Sequence, residues 1–225
     1  MDRILVFDIE TVPNPELVEA LSHPSHETGS EEQAKWMATH APFLKVVLIG
    51  CLSSRDGKAT SHRIEGYRGE DDDGEAKALE AFWKLAAEHE FFVTFSGMHF
   101  DVPILAFRSR VHRVKMPIRI STYPYGDPEK EKHFDLQRVA FGEHTKGGNL
   151  GNLAVALGIK DTETGSGADV RHWVRKGEWD RLWQYNYNDI RLTAAAFEIL
   201  FAEGSPLGFL DLSVKAPSRA LRKAR

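Results

Sequence analysis

The order in which strand and helix patterns follow one another limits most strongly how this chain can fold. Its start, residues 3–8, is a β-branched and aromatic run that predicts a buried strand. Asp56-Gly57 is a strong signal for a two-residue hairpin between strand patterns at 45–52 and 59–65. The later patterns predict a helix, a strand and three further helices, at 75–88, 91–95, 104–111, 150–157 and 180–202. Because a hairpin joins antiparallel strands, we expect an α/β fold whose central sheet is mixed rather than all-parallel.

Composition narrows the class of protein further. The chain has 225 residues, of which 42% are hydrophobic and 28% charged, as in ordinary globular domains with a sizeable core. No apolar run approaches the ~20 residues that a membrane helix needs, so no membrane partner is expected. Cys51 is the only cysteine, which excludes a disulfide within the chain, and the first ten residues lack the features of a signal peptide. We therefore expect a cytoplasmic protein.

Two acids, Asp8 and Glu10, stand at the end of the first strand pattern. Successive side chains of a strand point to opposite faces, so these two carboxylates share one face while Ile9 points to the other. Like charges this close raise each other's pKa unless something positive lies between them, and a divalent cation is the usual remedy. Two solvated acids at a strand end would give the same pattern, and the residues alone leave both interpretations open.

Further acids follow a later strand and lie on the last long helix. Asp101 comes directly after the fourth strand pattern, where it is either a ligand or, with Pro103 behind it, the N-cap of the next helix. Tyr185 and Asp189 are four residues apart on the last long helix pattern and therefore share a helix face. Apolar residues near that face predict that Asp189 lies close to the sheet, unless it faces water.

Taken in order, these segments resemble the three exonuclease motifs of the DEDD superfamily, which is named for its four acids. Tyr185 is typical of the DEDDy branch of that superfamily. The sequences FSGMHFDVP at 95–103 and YNYND at 185–189 are similar to the proofreading domain of family-B DNA polymerases and to its stand-alone bacterial relatives. The resemblance extends over residues 4–202, but the second motif of the family commonly has Asn where this chain has Ser96.

The segments between the second and third motifs add to this resemblance. HFDL at 133–136 and the stretch 148–159 are both similar to the corresponding part of the family. The resemblance implies a ribonuclease H-like three-layer fold, with a central mixed β-sheet flanked by helices, over residues 1–205. Residues 206–225 are then predicted to form a basic C-terminal tail.

The resemblance also implies an activity and a cofactor. The expected function is metal-dependent 3′→5′ exonuclease activity on nucleic acid with a free 3′ end, with single-stranded DNA favoured and nucleoside monophosphates released. The cofactors implied are two divalent ions, Mg²⁺ or Mn²⁺. The implied metal ligands are Asp8, which would bridge both ions, Glu10, Asp101 and Asp189. Tyr185 would orient the attacking water, because an ordinary phenol pKa of about 10 makes it a poor base at neutral pH.

Charge and side-chain type suggest where the substrate would lie. The predicted substrate contacts are Thr11, Met98, Phe100 and Arg108. The net charge of −4 argues against a protein that coats nucleic acid over its whole surface. Two divalent ions would bring that net charge to about zero. A cluster of basic residues with no acid among them is the candidate path for the phosphate backbone. This cluster consists of Arg108, Arg110, Arg113, Lys115 and Arg119.

Other functions fit parts of the same pattern. Asp8-x-Glu10-Thr11 superficially resembles the nucleophile motif of haloacid dehalogenase-like phosphatases, but no Gly-Asp-x-x-x-Asp arrangement follows it. A non-catalytic nucleic-acid adaptor on the same fold is a second alternative, although all four acids and Tyr185 are present. An endonuclease with a ribonuclease H-like core is a third, against which the pairing of Tyr185 with Asp189 on one helix argues.

Overall fold

The structure is a computed structural model that describes most of the chain. The described residues are 3–18, 20, 30–38, 40–54, 63–122, 132–142, 148–160, 165–201, 208–212, 215, 217 and 219–223. Their strands are β1 (Ile4–Pro13), β2 (Leu44–Ser54), β3 (Arg63–Arg68), β4 (Phe91–Thr94), β5 (His133–Asp135) and β6 (Leu221–Lys223). Their α-helices are α1 (Pro15–Val18), α2 (Glu31–Met37), α3 (Asp72–Ala86), α4 (Asp101–Val111), α5 (Leu136–Phe141), α6 (Leu150–Ala156), α7 (Val170–Lys176) and α8 (Trp179–Phe201). Within these ranges no helix combines the length and apolar character needed to cross a membrane.

The strands form one mixed sheet in the order β5-β4-β1-β2-β3-β6. β1 pairs antiparallel with β2 and parallel with β4, whereas β2 and β3 pair antiparallel, as the hairpin signal predicts. The outer strands β5 and β6 pair parallel with their neighbours. Helices α3 and α4 pack on one face of the sheet and α8 packs on the other. The predicted α/β three-layer fold with a central mixed sheet is therefore confirmed.

Alternation along β1 divides the core into two layers. Leu5, Phe7 and Ile9 are buried with α3 and α4, whereas Ile4 and Val6 are buried with α8. Period-two geometry then directs the side chains at positions 8 and 10 to the α8 side. The strand therefore delivers two acids to the edge of the α8 layer while its apolar residues anchor both layers.

Several boundaries differ from the sequence-based prediction. Helix α3 begins at Asp72 instead of residue 75, because the carboxylate of Asp71 caps it by accepting a hydrogen bond from the Gly74 N–H (2.7 Å). Helix α4 begins at Asp101 instead of residue 104. β3 ends at Arg68 instead of residue 65, and residues 59–62 and the predicted turn at 56–57 fall outside the described residues.

Five elements were not predicted: α1, β5, α5, α7 and β6. Each is three to seven residues long, which is too short to show a hydrophobic period. The predicted basic tail is also wrong in part, because β6 lies within it and joins the sheet beside β3. Pairing of backbone groups and an ion pair between Arg222 and Glu65 (3.2 Å) hold that strand in the domain.

Candidate active site

Three carboxylates meet where the end of β1 faces the middle of α8. Oxygen atoms of Asp8, Glu10 and Asp189 all lie within 4.8 Å of one another. We call these residues the acidic trio. Strand alternation aims the first two acids at α8, and the helix presents the third towards them. The structure therefore brings together three of the four predicted metal ligands.

Asp101, the fourth predicted ligand, lies next to the trio. Its side chain is 3% exposed, and Oδ1 accepts a hydrogen bond from the backbone N–H of Ile9 (3.1 Å). Since Ile9 lies between the two acids of β1, this bond ties the first turn of α4 to the strand that carries them. The alternative prediction, that Asp101 caps α4, is wrong: the residue is inside the helix, and the cap position belongs to Phe100.

Burial and like charges disfavour the ionised form of these acids. Burial, followed by the charges of Asp101, Glu10 and Asp189, raises the pKa of Asp8 well above its usual range. Burial is also the first cause that raises the pKa of Glu10, followed by the charge of Asp189. For Asp101, burial dominates and raises the pKa to about 7. No described lysine or arginine forms an ion pair with Asp8 or Glu10, so the like charges lack a cation from those parts of the chain.

An amide does contact two of the acids. Asn186, which is fully buried on α8, donates from Nδ2 to Oδ2 of Asp8 (2.7 Å) and lies 3.3 Å from Oε1 of Glu10. These hydrogen bonds lower the pKa of both acids and so offset part of the increase. Sequence reasoning missed this residue: its position three residues before Asp189 places it near the same helix face, but its bonds to β1 form only when α8 packs on the sheet.

Tyr185 lies beside the trio and stays protonated. Its ring packs on Trp173, with ring centroids 5.5 Å apart. Burial first, then the charges of Asp189, Glu10 and Asp8, raise the pKa of Tyr185 far above its usual range, and the bond with Asp189 adds to this. A phenol in this setting can donate a hydrogen bond but cannot act as a base.

A fifth carboxylate, that of Asp135, shapes the loop before α4. This residue is 2% exposed and accepts hydrogen bonds from the N–H groups of Ser96 (2.8 Å) and Met98 (3.0 Å). Ser96 has φ of 65°, a left-handed conformation that non-glycine residues rarely adopt. At Gly97 a Cβ atom would lie 2.4 Å from Oγ1 of Thr94, so only glycine fits there. Asp135, to which sequence reasoning gave no role, therefore fixes the backbone of the loop that leads to Asp101.

The predicted substrate-binding residues have different surroundings. Thr11 is half-buried on β1, just after a register shift against β2. Met98 is 4% exposed, and its sulfur accepts from Nη1 of Arg138 (3.3 Å). Phe100 is half-buried and packs against the α3–α4 core. Contacts of these three residues with a substrate remain predictions.

Arg108 does not have the environment expected of a substrate contact. It is 4% exposed, and Nε and Nη2 donate to the two carboxylate oxygens of Glu75 (2.8 and 2.6 Å). His112 and the N–H of Val46 also bond to Glu75 (2.9 and 2.8 Å). We correct the prediction for Arg108, because its guanidinium is used within the α3–α4 layer. The positive charge of Arg108 neutralises the negative charge of the buried Glu75.

The donor set of the trio fits a hard divalent ion. All candidate ligands are carboxylate oxygens, which Mg²⁺ and Mn²⁺ prefer over nitrogen or sulfur. Within the trio, the pKa values of Asp8 and Glu10 are raised, and no described base forms an ion pair with either of them. Asp101 is close enough for its charge to raise the pKa of Asp8. A cation at this position would relieve the repulsion among these acids.

Comparison with known proteins agrees with this fold. A model of the RNase_H superfamily matches residues 38–200, which include Asp101 and Asp189 but not the two acids of β1. A family B DNA polymerase from the hyperthermophilic archaeon Pyrobaculum calidifontis has a similar structure, with a TM-score of 0.60 and 19% sequence identity. The match covers 95% of this chain, which spans 27% of that polymerase chain. No curated protein matches. With its matched residues and its fold, this chain belongs to the RNase_H superfamily.

Proposed function

We propose that this protein is a metal-dependent 3′→5′ exonuclease that releases nucleoside monophosphates from the 3′ end of single-stranded DNA. The observation that carries the proposal is the convergence of Asp8, Glu10 and Asp189 within 4.8 Å, with Asp101 bonded to the same strand. Membership of the RNase_H superfamily and the resemblance of the motifs to DEDDy exonucleases support it.

The four acids would hold two divalent ions, Mg²⁺ or Mn²⁺. Such ions, when bound, lower the pKa of a water and stabilise charge on the attacking and leaving oxygens of a phosphodiester. The contribution of the protein is the fixed position of its carboxylates. Asp8 and Glu10 are set by the sheet, Asp189 by α8, and Asp101 by its bond to the backbone of β1. None of these acids sits on a long loop.

Tyr185 would orient the attacking water. Its hydroxyl is beside Asp189, and the raised pKa keeps the proton on the phenol at any physiological pH. The hydroxyl therefore acts as a hydrogen-bond donor that fixes the direction of attack rather than as a base. Packing of its ring on Trp173 limits the rotamers available to it.

The substrate strand would approach along α4. A groove of about 820 Å³ runs beside this helix from Val102 and Pro103, the two residues that follow Asp101, and Arg110 and Arg119 line it. Both arginines are exposed, unlike Arg108, so they are the members of the basic cluster best placed to contact phosphates. The apolar residues of the groove would contact bases without sequence preference.

The test is digestion of oligonucleotides that carry a 5′ label. Single-stranded and duplex DNA and RNA are incubated with Mg²⁺, with Mn²⁺ or with EDTA, and products are separated by length. A metal-dependent ladder of shortening labelled fragments, with single-stranded DNA cut fastest, is expected. A labelled mononucleotide as the first product would mean attack from the 5′ end. Turnover in EDTA, or binding of DNA without turnover in either metal, would contradict the proposal.

A further inference from the structure

Asn186 connects the two acids of β1 through a single neutral group. Its Nδ2 donates to Oδ2 of Asp8 at 2.7 Å and contacts Oε1 of Glu10 at 3.3 Å. An amide nitrogen has two hydrogens, so both carboxylates can be served at once. Both acids are close in sequence, whereas Asn186 is supplied by a helix 176 residues further along the chain. The bridge therefore fixes each acid relative to the helix that carries Asp189.

Among the residues that the structure describes, none donates a hydrogen bond to the other end of the same amide. Oδ1 of Asn186 is buried without a hydrogen bond in the structure. A buried acceptor in this state is costly, and native proteins tolerate few of them. Turning the amide around would not help, since it would point Oδ1 at two carboxylates. The observed orientation is thus imposed by Asp8 and Glu10.

Gly50 makes room for this amide. It lies directly opposite Asp8 in the β1–β2 pairing, where side chains share a face of the sheet. A Cβ atom at Gly50 would lie 1.8 Å from Oδ1 of Asn186. Gly50, which has no side chain, therefore leaves the space that the carboxamide of Asn186 fills next to the acidic trio.

A neutral donor has an advantage over a cation at this place. A lysine or arginine would also hold the two acids, but its charge would cancel the attraction of the site for a divalent ion. An amide fixes the carboxylates and leaves their charge in place. It also occupies one oxygen of each acid, so the second oxygen remains available to a ligand.

We propose that Asn186 is a positioning residue that sets the orientation of Asp8 and Glu10 for divalent metal binding, with Gly50 providing the space. This inference rests on the proposed function, since it assumes that the trio binds metal. Groups that orient metal ligands through hydrogen bonds typically contribute about 10–100-fold to metal affinity. Asn186 itself contacts neither substrate nor metal in this account.

The test is Mn²⁺ binding to the full chain, measured by calorimetry and by the electron paramagnetic resonance signal of free Mn²⁺. In Asn186→Leu, which keeps the volume but removes the donors, the Kd for Mn²⁺ should rise about 10–100-fold. Asn188→Leu is the matched control. Asn188 is 1% exposed on the same helix, but its Oδ1 accepts from Arg191 (2.9 Å). Its Kd should stay within about twofold of wild type, even though its stability should fall by about as much as that of Asn186→Leu.

A second variant and a kinetic measurement separate positioning from folding. Gly50→Ala keeps every polar group and displaces chiefly the carboxamide, since the nearest side-chain atom outside Asn186, Cδ1 of Ile190, would lie 3.1 Å from the new Cβ. It should therefore weaken Mn²⁺ binding in the same direction even if Asn186→Leu fails to fold. In hydrolysis, the metal concentration for half-maximal rate should rise while KM for the oligonucleotide stays unchanged. Excess Mn²⁺ should restore most of the rate if the variant binds metal weakly. It would not restore the rate of a variant that is inactive because it is misfolded.

The outcomes distinguish this inference from the function on which it rests. If wild type binds Mn²⁺ and both Asn186→Leu and Gly50→Ala bind it with the same Kd, the positioning role is wrong and the proposed function stands. The same conclusion holds if Asn188→Leu loses as much affinity as Asn186→Leu. If wild type binds no Mn²⁺, the proposed function fails and the role of Asn186 fails with it.

Discussion

Two clusters of acids lie on opposite faces of the same sheet, and they are compensated in different ways. On the α3–α4 face, Glu75 is fully buried and receives two hydrogen bonds from Arg108, one from His112 and one from a backbone N–H. On the α8 face, Asp8 and Glu10 share an amide from Asn186 and lie beside Asp189.

The difference indicates which cluster is built for stability and which for chemistry. A buried carboxylate with a bidentate guanidinium is satisfied by the chain itself. Carboxylates that share only a neutral donor keep their repulsion, which raises their pKa values and costs folding free energy. Proteins keep such arrangements mainly at functional sites. A substitution on one face of the sheet therefore leaves the other face as its reference.

The largest expected effect follows from removing a charge from the trio. Asp8→Asn should lower the rate of DNA hydrolysis by at least ~10³-fold, which corresponds to about 4 kcal/mol in the transition state. The metal-free variant should be at least as stable as wild type, because one of several repelling charges is gone. Initial rates with Mg²⁺ and thermal unfolding in EDTA measure the two effects. Full activity in the pure variant would remove Asp8 from the site.

The opposite pattern is expected on the other face. Arg108→Met leaves Glu75 buried without its cation and should lower the free energy of unfolding by about 3–5 kcal/mol. Arg110→Met is the matched control, because this arginine is exposed two residues further along α4 and should change stability by less than about 0.5 kcal/mol. Denaturant unfolding compares the two. Equal stability of both variants would show that the Arg108–Glu75 pair is not structural.

The buried acids of the candidate active site should make metal-free stability depend on pH with a defined sign. Burial raises the pKa of Asp101 to about 7 in the folded protein, whereas the unfolded chain has an ordinary value near 4. Between these values the folded state binds more protons than the unfolded state, so the free energy of unfolding falls as pH rises from about 4 to 7. The loss attributable to Asp101 should reach up to roughly 4 kcal/mol.

Denaturant unfolding in EDTA at pH 5 and pH 8 tests this dependence. Asp101→Asn is the reference, since an amide does not titrate and should lose less stability over the same interval. A wild-type protein that gains stability relative to Asp101→Asn as pH rises would contradict the account.

A smaller effect is expected from the hydroxyl beside the trio. Tyr185→Phe keeps the packing on Trp173 but removes the donor that is proposed to orient water, so kcat should fall about 10–100-fold. Burial, the first cause of the raised phenol pKa, does not depend on the charge of the acids, so the shape of the pH–rate profile between pH 6 and 10 should not change. Loss of an alkaline limb of the profile in the variant would mean that the phenol titrates during the reaction.

The smallest effect concerns the loop that leads to Asp101. Ser96 adopts φ of 65°, and asparagine tolerates this left-handed conformation better than serine. Ser96→Asn should therefore stabilise the protein by about 0.5–1 kcal/mol, provided that the bonds to Asp135 are kept. Thermal unfolding measures the change. Ser54→Asn is not a suitable control, because Ser54 is fully buried in β2. A destabilised Ser96→Asn variant would show that the hydroxyl is needed.

Sequence reasoning found the parts of this molecule that carry long or repeated patterns. The apolar run before Asp8, the face shared by Tyr185 and Asp189, and the mixed sheet implied by the hairpin signal all follow from local periodicity. The trio could be anticipated because each acid is tied to a strand or helix whose direction the pattern fixes. Only the distances required the structure.

What sequence reasoning missed depends on contacts between distant residues. Arg108 reads as a surface base in a basic cluster, and nothing local shows that Glu75, 33 residues earlier, neutralises it. Asn186 and Gly50 acquire their roles only when α8 packs on β2. Short elements such as β5 are stabilised by their neighbours in the sheet rather than by their own propensity.

The central claim is that the acids on the α8 face bind divalent metal and those on the α3–α4 face do not. Calorimetric titration of Mn²⁺ into wild type, Asp8→Asn and Asp72→Asn tests it most directly. Asp72 is the matched control, since it is a carboxylate close to Glu75 and His112. Wild type and Asp72→Asn should bind Mn²⁺ with the same Kd, and Asp8→Asn should lose binding. Retained binding in Asp8→Asn, or its loss in Asp72→Asn, would contradict the account.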